Sequence, residues 1–249
     1  GGVSALTESW DGTSWTEVND LNNATKENPG TGTSTAAIRA GGTAPGGNVY
    51  NYVETWNGSS WTETTEINQT RGAGAITGIT TAALLVGGSN NNPTYYANVE
   101  LWNGSSWTEK ADLNAATSLL GETGTSTDAI AFGGLTPSTS PTLSAVTENF
   151  NGTSWSPVNS LSTARYGLSN SGAAGSSAVA GGGYTTAVVT TTEEWAFSGV
   201  QPGDEASYSD AITGDFYYNS TTGQYKNVKD GGAPIGSWSS GGTKNTIVN

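Results

Sequence analysis

Five glutamates recur along the chain at near-constant spacing: Glu8, Glu54, Glu100, Glu148 and Glu193. Paired carboxylates are the raw material of glycoside hydrolysis, one as acid and one as base or nucleophile. Asn57, Asn103 and Asn151 each open an Asn-Gly-Ser/Thr triplet, the acceptor pattern for N-glycosylation. Asp204, Glu205, Asp210 and Asp215 could offer Ca²⁺ hard oxygen ligands. Arg39, Arg71 and Arg165 are the only arginines and could form an anion site. Each group also has a plainer reading. A catalytic pair should break a repeat, whereas these glutamates obey one, so we expect them to hold structure. The triplets fall where a tight turn asks for Asn-Gly. The acidic residues lack calcium-loop spacing and read as surface charge. Arg71 and Arg165 share a register, which points to structural pairing. No catalytic residue, metal ligand or cofactor site is expected.

Composition narrows the chemistry further. The 249 residues contain no His, Cys or Met, and 8 basic against 21 acidic residues give a net charge of −13. Without His or Cys there is no Ser-His-Asp triad, no Cys-His dyad, no imidazole or thiolate metal site and no disulfide. So negative a chain is a poor partner for nucleic acid, where clustered Lys and Arg must neutralise phosphates. The longest apolar runs, such as 82–86, fall far short of the ~20 residues of a membrane-spanning helix. No membrane insertion is expected. No signal peptide is visible and no Met opens the chain, so it reads as a piece of a longer or processed polypeptide.

What must position these residues is a repeat. Trp10-Asp11-Gly12-Thr13-Ser14-Trp15-Thr16-Glu17 returns at Trp56–Trp61, at Trp102–Trp107 and as Phe150–Trp155, with a half copy at Glu193-Glu194-Trp195. The steps from Trp10 are 46, 46, 48 and 45 residues. Glycine pairs keep the same beat at Gly41-Gly42, Gly87-Gly88, Gly133-Gly134 and Gly181-Gly182. A small, apolar run precedes each pair, a variable loop follows, and an alternating strand then carries the first aromatic residue. The Asn-Gly turn predicts a two-residue hairpin with φ > 0 at both central positions. The returning strand carries the second Trp, and Leu21, Ile67, Leu113 or Leu161 leads to the next inner strand. Four strands in about 46 residues is the length of a propeller blade. Complete units are expected at 31–63, 77–109 and 123–158, with 1–18 as an outer half-blade. If the array closes on itself, the strands near 170–183 complete that half-blade.

Glycine pair, loop, aromatic, turn, Trp and a Leu-x-x-x-Arg stretch together resemble a kelch repeat over about residues 1–197. In that pattern Trp10, Trp56, Trp102, Phe150 and Trp195 take the Tyr position, and Trp15, Trp61, Trp107 and Trp155 the following Trp. Arg71 and Arg165 match the family arginine, with Lys26 and Ser118 in its register elsewhere. The resemblance implies an all-β, kelch-like β-propeller of four-stranded blades, with the Trp residues packing between blades. Near-identical copies rich in Thr, Ser, Gly and Asn also resemble kelch-like arrays of marine bacteriophage tail and fibre proteins. The segment 214–226 is similar to a Tyr-Tyr-Asn…Thr-Thr-Gly…Lys hairpin of such proteins. The chain therefore divides into a propeller, 1–199, and a C-terminal β-hairpin connector or docking segment, 200–249.

Residues that break the repeat are the better candidates for contact. Tyr50, Tyr52, Asn91, Tyr95, Tyr96 and Tyr184 lie in the loops after the glycine pairs, where flat rings beside amides suit carbohydrate or adhesive surfaces. The expected function is that of a phage virion structural protein, in a tail fibre or other appendage. It would bind host-surface glycan or protein, or other virion proteins, without catalysis, as a homo-oligomer or in many copies whose avidity makes weak contacts sufficient. The rival is a secreted or cell-surface bacterial scaffold or adhesin. A propeller sialidase fits less well: Ser9-Trp10-Asp11-Gly12-Thr13-Ser14-Trp15 nears the Ser-x-Asp-x-Gly-x-x-Trp box but lacks its spacer, and the arginine triad is unconvincing.

Overall fold

The computed structural model describes residues 2–90, 94–137 and 142–196, and the backbone of three later strands at 216–219, 224–227 and 237–240. The segments expected to be β form strands throughout the repeats. β1 (Thr7–Trp10) and β2 (Trp15–Val18) form a hairpin. β3 (Gly30–Thr33), β4 (Ala36–Ala40), β5 (Val53–Trp56) and β6 (Trp61–Glu63) form blade 1. β7 (Ala75–Ile79), β8 (Ala82–Val86), β9 (Val99–Trp102) and β10 (Trp107–Glu109) form blade 2. β11 (Gly121–Gly124) and β12 (Ala129–Phe132) begin blade 3, a small hairpin of β13 (Leu135–Thr136) and β14 (Thr142–Leu143) interrupts it, and β15 (Thr147–Phe150) and β16 (Trp155–Val158) finish it. β17 (Ser169–Ala174), β18 (Ser177–Gly181) and β19 (Thr192–Ala196) begin blade 4. A second hairpin, β20 (Phe216–Asn219) and β21 (Gln224–Asn227), precedes its last strand, β22 (Ser237–Ser240).

The chain is thus an all-β protein whose four antiparallel four-stranded sheets take a β-propeller arrangement. The inner strands β3, β7, β11 and β17 lie side by side. A threonine ladder ties them: Thr31 Oγ1 donates to Gly78 O at 2.8 Å, Thr77 to Gly124 at 2.8 Å and Thr123 to Gly172 at 2.6 Å. Three apolar cores fill the junctions. Ile38, Ile67, Leu85 and Trp102 pack between blades 1 and 2; Leu84, Leu113, Phe150 and Trp155 between blades 2 and 3; Ile130, Phe132, Leu161 and Trp195 between blades 3 and 4. Burying such side chains gives each junction its cohesion, about 1.5–3 kcal/mol per large residue.

Several expectations change in detail. The Asn-Gly hairpins are four-residue loops between paired Trp residues, with positive φ at the glycine alone (Gly58, φ 93°). The Asn57 side-chain Oδ1 accepts the N–H groups of Ser59 and Ser60, both at 2.9 Å, and reinforces the turn that Asn57 N–H closes on Ser60 O at 3.3 Å. The fourth glycine pair is Gly182-Gly183, not Gly181-Gly182. Its φ values of 62° and 100° match 63° and 101° at Gly87-Gly88, while Gly181 belongs to β18. The strands near 170–183 pair with β19 in blade 4 and do not complete the N-terminal half-blade. Trp10 and Trp15 of that half-blade are consequently exposed, at 46% and 64%, whereas Trp56, Trp102, Trp107, Phe150, Trp155 and Trp195 are buried.

Blade 4 recovers its outer strand from a distance. Trp195 pairs with Trp238 in the same register as Trp102 with Trp107, although 43 residues, not 5, separate them. The β20–β21 hairpin lies within that insertion, and the remainder of 200–249 lies outside the described residues.

Candidate functional site

The loops after the glycine pairs share one end of the blades with the connections between blades. There each blade forms a small bridged belt: Lys26, Thr43 and Val49; Gly72, Ser89 and Tyr95; Ser118 and Leu135; Tyr166, Tyr184 and Val188. Tyrosines line this rim. The Tyr50 and Tyr52 rings stack at 4.7 Å and 26°. The Tyr96 hydroxyl lies 3.2 Å from Gln69 Nε2, with half-buried Tyr95 adjacent. Tyr184, 40% exposed, meets Tyr166 at 5.4 Å in a tilted pair. Tyr166 was not among the sequence candidates, and its signal, an aromatic residue just after Arg165, is visible only once Tyr184 lies opposite. Blade 3 brings no tyrosine to the rim, and Asn91 lies outside the described residues.

The repeated glutamates do something else. Each of Glu54, Glu100, Glu148 and Glu193 is buried and accepts the backbone N–H of the residue that enters its blade: Asn22 (2.8 Å), Asn68 (2.7 Å), Asn114 (3.0 Å) and Ser162 (2.8 Å). In three blades the same carboxylate also meets a buried guanidinium: Arg39 on Glu54, Arg71 on Glu100, and Arg165 on Glu193 at 3.0 Å. Burial opposes the charge on Glu54, but the Asn22 N–H and Arg39 outweigh it and hold its pKa below the ordinary value. These groups latch blade to blade. Glu8, in the half-blade, is exposed.

The arginine register needs correcting. Gly42 N–H donates to Arg71 O (2.9 Å), Gly88 N–H to Thr117 O (2.8 Å) and Gly134 N–H to Arg165 O (2.8 Å). Thr117, four residues after Leu113, therefore holds the arginine position of blade 3, and by the same count Thr25 that of blade 1; Ser118 and Lys26 each stand one residue later. In blade 1, Arg39 replaces the missing arginine from β4. In blade 3, among the described residues, no ion pair reaches Glu148, and no Lys or Arg lies between Lys110 and Arg165.

Blade 3 carries a second anomaly. Glu122 stands on β11 where Ile76 stands on β7, in a cross-strand row with Ala131 and Glu148. It is 2% exposed, and neither carboxyl oxygen has a hydrogen-bond partner. Burial pushes its pKa well above the ordinary value, against the pull of Arg71. A carboxyl whose burial favours its neutral form, one strand removed from another that accepts amide N–H groups, has the outline of an acid–base pair. However, the adjoining cavity holds only about 10 Å³, the room of one water-sized particle. No sugar ring can reach these groups.

No protein-family model matches the chain, and no curated protein matches its sequence. Among the described residues no cluster of three or more His, Cys, Asp or Glu could hold a metal ion, and no helix is long and apolar enough to cross a membrane.

Proposed function

We propose that the chain is a non-catalytic binding propeller on a phage virion, in a tail fibre or another appendage, and that its tyrosine rim touches the host surface or a neighbouring virion protein. One observation carries the binding half: the paired rings Tyr50–Tyr52 of blade 1 and Tyr166–Tyr184 of blade 4, with Tyr95 and Tyr96 of blade 2, stand on the same end, held by their neighbours at small entropic cost. Amphipathic rings of this kind suit the faces of sugars and of flat protein surfaces. The virion half is supported by the kelch-like repeats and the aromatic hairpin that resemble those of phage tail and fibre proteins. The recurring carboxylates are committed to the blade latches, which favours contact over chemistry.

Two experiments test the two halves. Mass spectrometry of intact particles should find the parent chain at fixed stoichiometry with capsid and tail proteins; a secreted parent without viral companions would replace this reading with a bacterial adhesin. Multimerised protein should bind host cells or a glycan array, and Tyr50→Ser/Tyr52→Ser/Tyr184→Ser should lose at least tenfold in avidity with its melting temperature nearly kept. Unchanged binding would remove the rim from the account.

A further inference from the structure

Three blades fill the same interior place with a cation from their own sequence. In blade 2 the Arg71 guanidinium donates to Gly87 O at 2.9 Å, to Asn98 O at 2.7 Å and to Glu100. In blade 4 Arg165 donates to Thr191 O at 2.9 Å and to Glu193 at 3.0 Å. In blade 1 Arg39 reaches Gly41 O at 3.0 Å and Glu54. The counterparts in blade 3 are identified by one repeated backbone bond. Gly133 N–H donates to Val146 O (3.0 Å) as Gly87 donates to Asn98 (3.1 Å) and Gly182 to Thr191 (2.9 Å). Gly133 O, Val146 O and Glu148 therefore form the same receptacle.

Two substitutions open it. Thr117 replaces the arginine, and Ser144 replaces the tyrosine that blades 1 and 2 place there: Ser144 N–H donates to Gly134 O as Tyr50 does to Gly42 and Tyr96 to Gly88. The result is the cavity of about 10 Å³ lined by Thr117, Gly133, Ser144, Val146 and Glu148, with apolar walls that include Leu113 and Phe132. Glu148 is 4% exposed, and a buried carboxylate without a counter-charge is costly. The lining offers only hard oxygen donors, which select hard cations over soft ones. A single latch carboxylate balances a single positive charge, as it does in the three sister blades. The room is that of one water-sized particle, which is also the size of K⁺ or NH₄⁺.

We propose that blade 3 binds a monovalent cation of potassium or ammonium size between Glu148, Gly133 O and Val146 O, where it takes the place of the guanidinium. The site lies under the blade 3 sector of the rim, where Ser144 stands in place of a tyrosine, and it does not rest on what the rim binds. The test uses the full chain at constant ionic strength, melted in KCl, NH₄Cl, NaCl and choline chloride. The melting temperature should rise with K⁺ or NH₄⁺ relative to choline by about 2–4 °C as the site saturates. Comparing K⁺ with NH₄⁺ distinguishes a metal ion from an ammonium donor. Glu148→Gln, which keeps shape and removes charge, should abolish the difference. Crystals of the unaltered protein soaked in RbCl should show an anomalous peak bounded by Glu148, Gly133 and Val146. Equal melting in all four salts, a cation effect that survives Glu148→Gln, or a rubidium-soaked crystal without that peak would each overturn the proposal.

Discussion

Blades 2 and 3 share strand order, register and latch glutamate, yet they neutralise that glutamate differently. Blade 2 does it with Arg71, buried and bonded to two carbonyls and to Glu100. Blade 3 has Thr117 at that place, a small cavity and a second buried carboxyl, Glu122. The glutamate–amide latch thus recurs in every blade, while the cation is the part that is relocated, as Arg39 shows in blade 1, or absent among the described residues, as in blade 3. A repeat kept for blade contact has room at that one place to diverge.

The largest effect should come from breaking blade 2. Arg71→Ala leaves Glu100 buried without its partner and should cost about 3–5 kcal/mol of unfolding free energy in a denaturant titration. Glu148→Gln in blade 3, measured in choline buffer, should cost far less or nothing, because no protein cation is orphaned. Similar losses at the two sites would erase the distinction.

Glu122→Gln sharpens the same contrast through pH. The folded state keeps the Glu122 proton above the ordinary carboxyl value of 4.5, so it binds more protons than the unfolded chain and its contribution to stability falls as pH rises through that window. Glu54, with its pKa lowered, runs the other way: it stabilises above the ordinary value and the gain is lost on acidification. Glu122→Gln, which removes the titration, should therefore flatten the decline in stability expected above pH 4.5 in the parent, so that its advantage over the parent grows from pH 4.5 toward pH 7. No gain at pH 7, with the slope unchanged, would show that Glu122 is ionised and paired.

A smaller effect concerns the joints between blades. Glu27, Ala73 and Leu119 adopt positive φ of 57°, 54° and 54° where blade 4 uses Gly167 at 61°. Ala73→Gly should relieve that strain and, after the added chain entropy, stabilise the protein by about 0.5 kcal/mol. A clear loss of stability would mean that the buried Ala73 methyl matters more than the backbone.

Much of this was legible in the chain, because a blade is a local object. The Trp pairs, glycine pairs and alternating strands recur within 46 residues, and the complete units expected at 31–63, 77–109 and 123–158 correspond to blades 1–3. The misplacements of the glycine pair and of the arginine register are each of one residue. Gly181 to Gly183 is a run of three glycines whose backbone angles alone reveal which two form the pair, and Lys26 and Ser118 were more conspicuous than the threonines beside them. The outer strand of blade 4 was obscured by distance: Ser237-Trp238 resembles the repeat only faintly in the sequence, and 43 residues separate Trp238 from Trp195. Glu122 was hidden by context: in Gly-Glu-Thr-Gly it reads as a polar strand residue, and only its row with Ala131 and Glu148 shows that it is enclosed. The tyrosines were found as residues, but their pairing across loops required the fold.

The most direct test of the central claim, that blade 3 retains a cation receptacle its own sequence leaves unfilled, is the unfolding free energy of Thr117→Arg in potassium-free choline buffer. Restoring the arginine of blades 2 and 4 should make the variant more stable than the parent, with a margin that shrinks as KCl replaces choline. A variant less stable than the parent, by the same amount in both salts, would contradict the account.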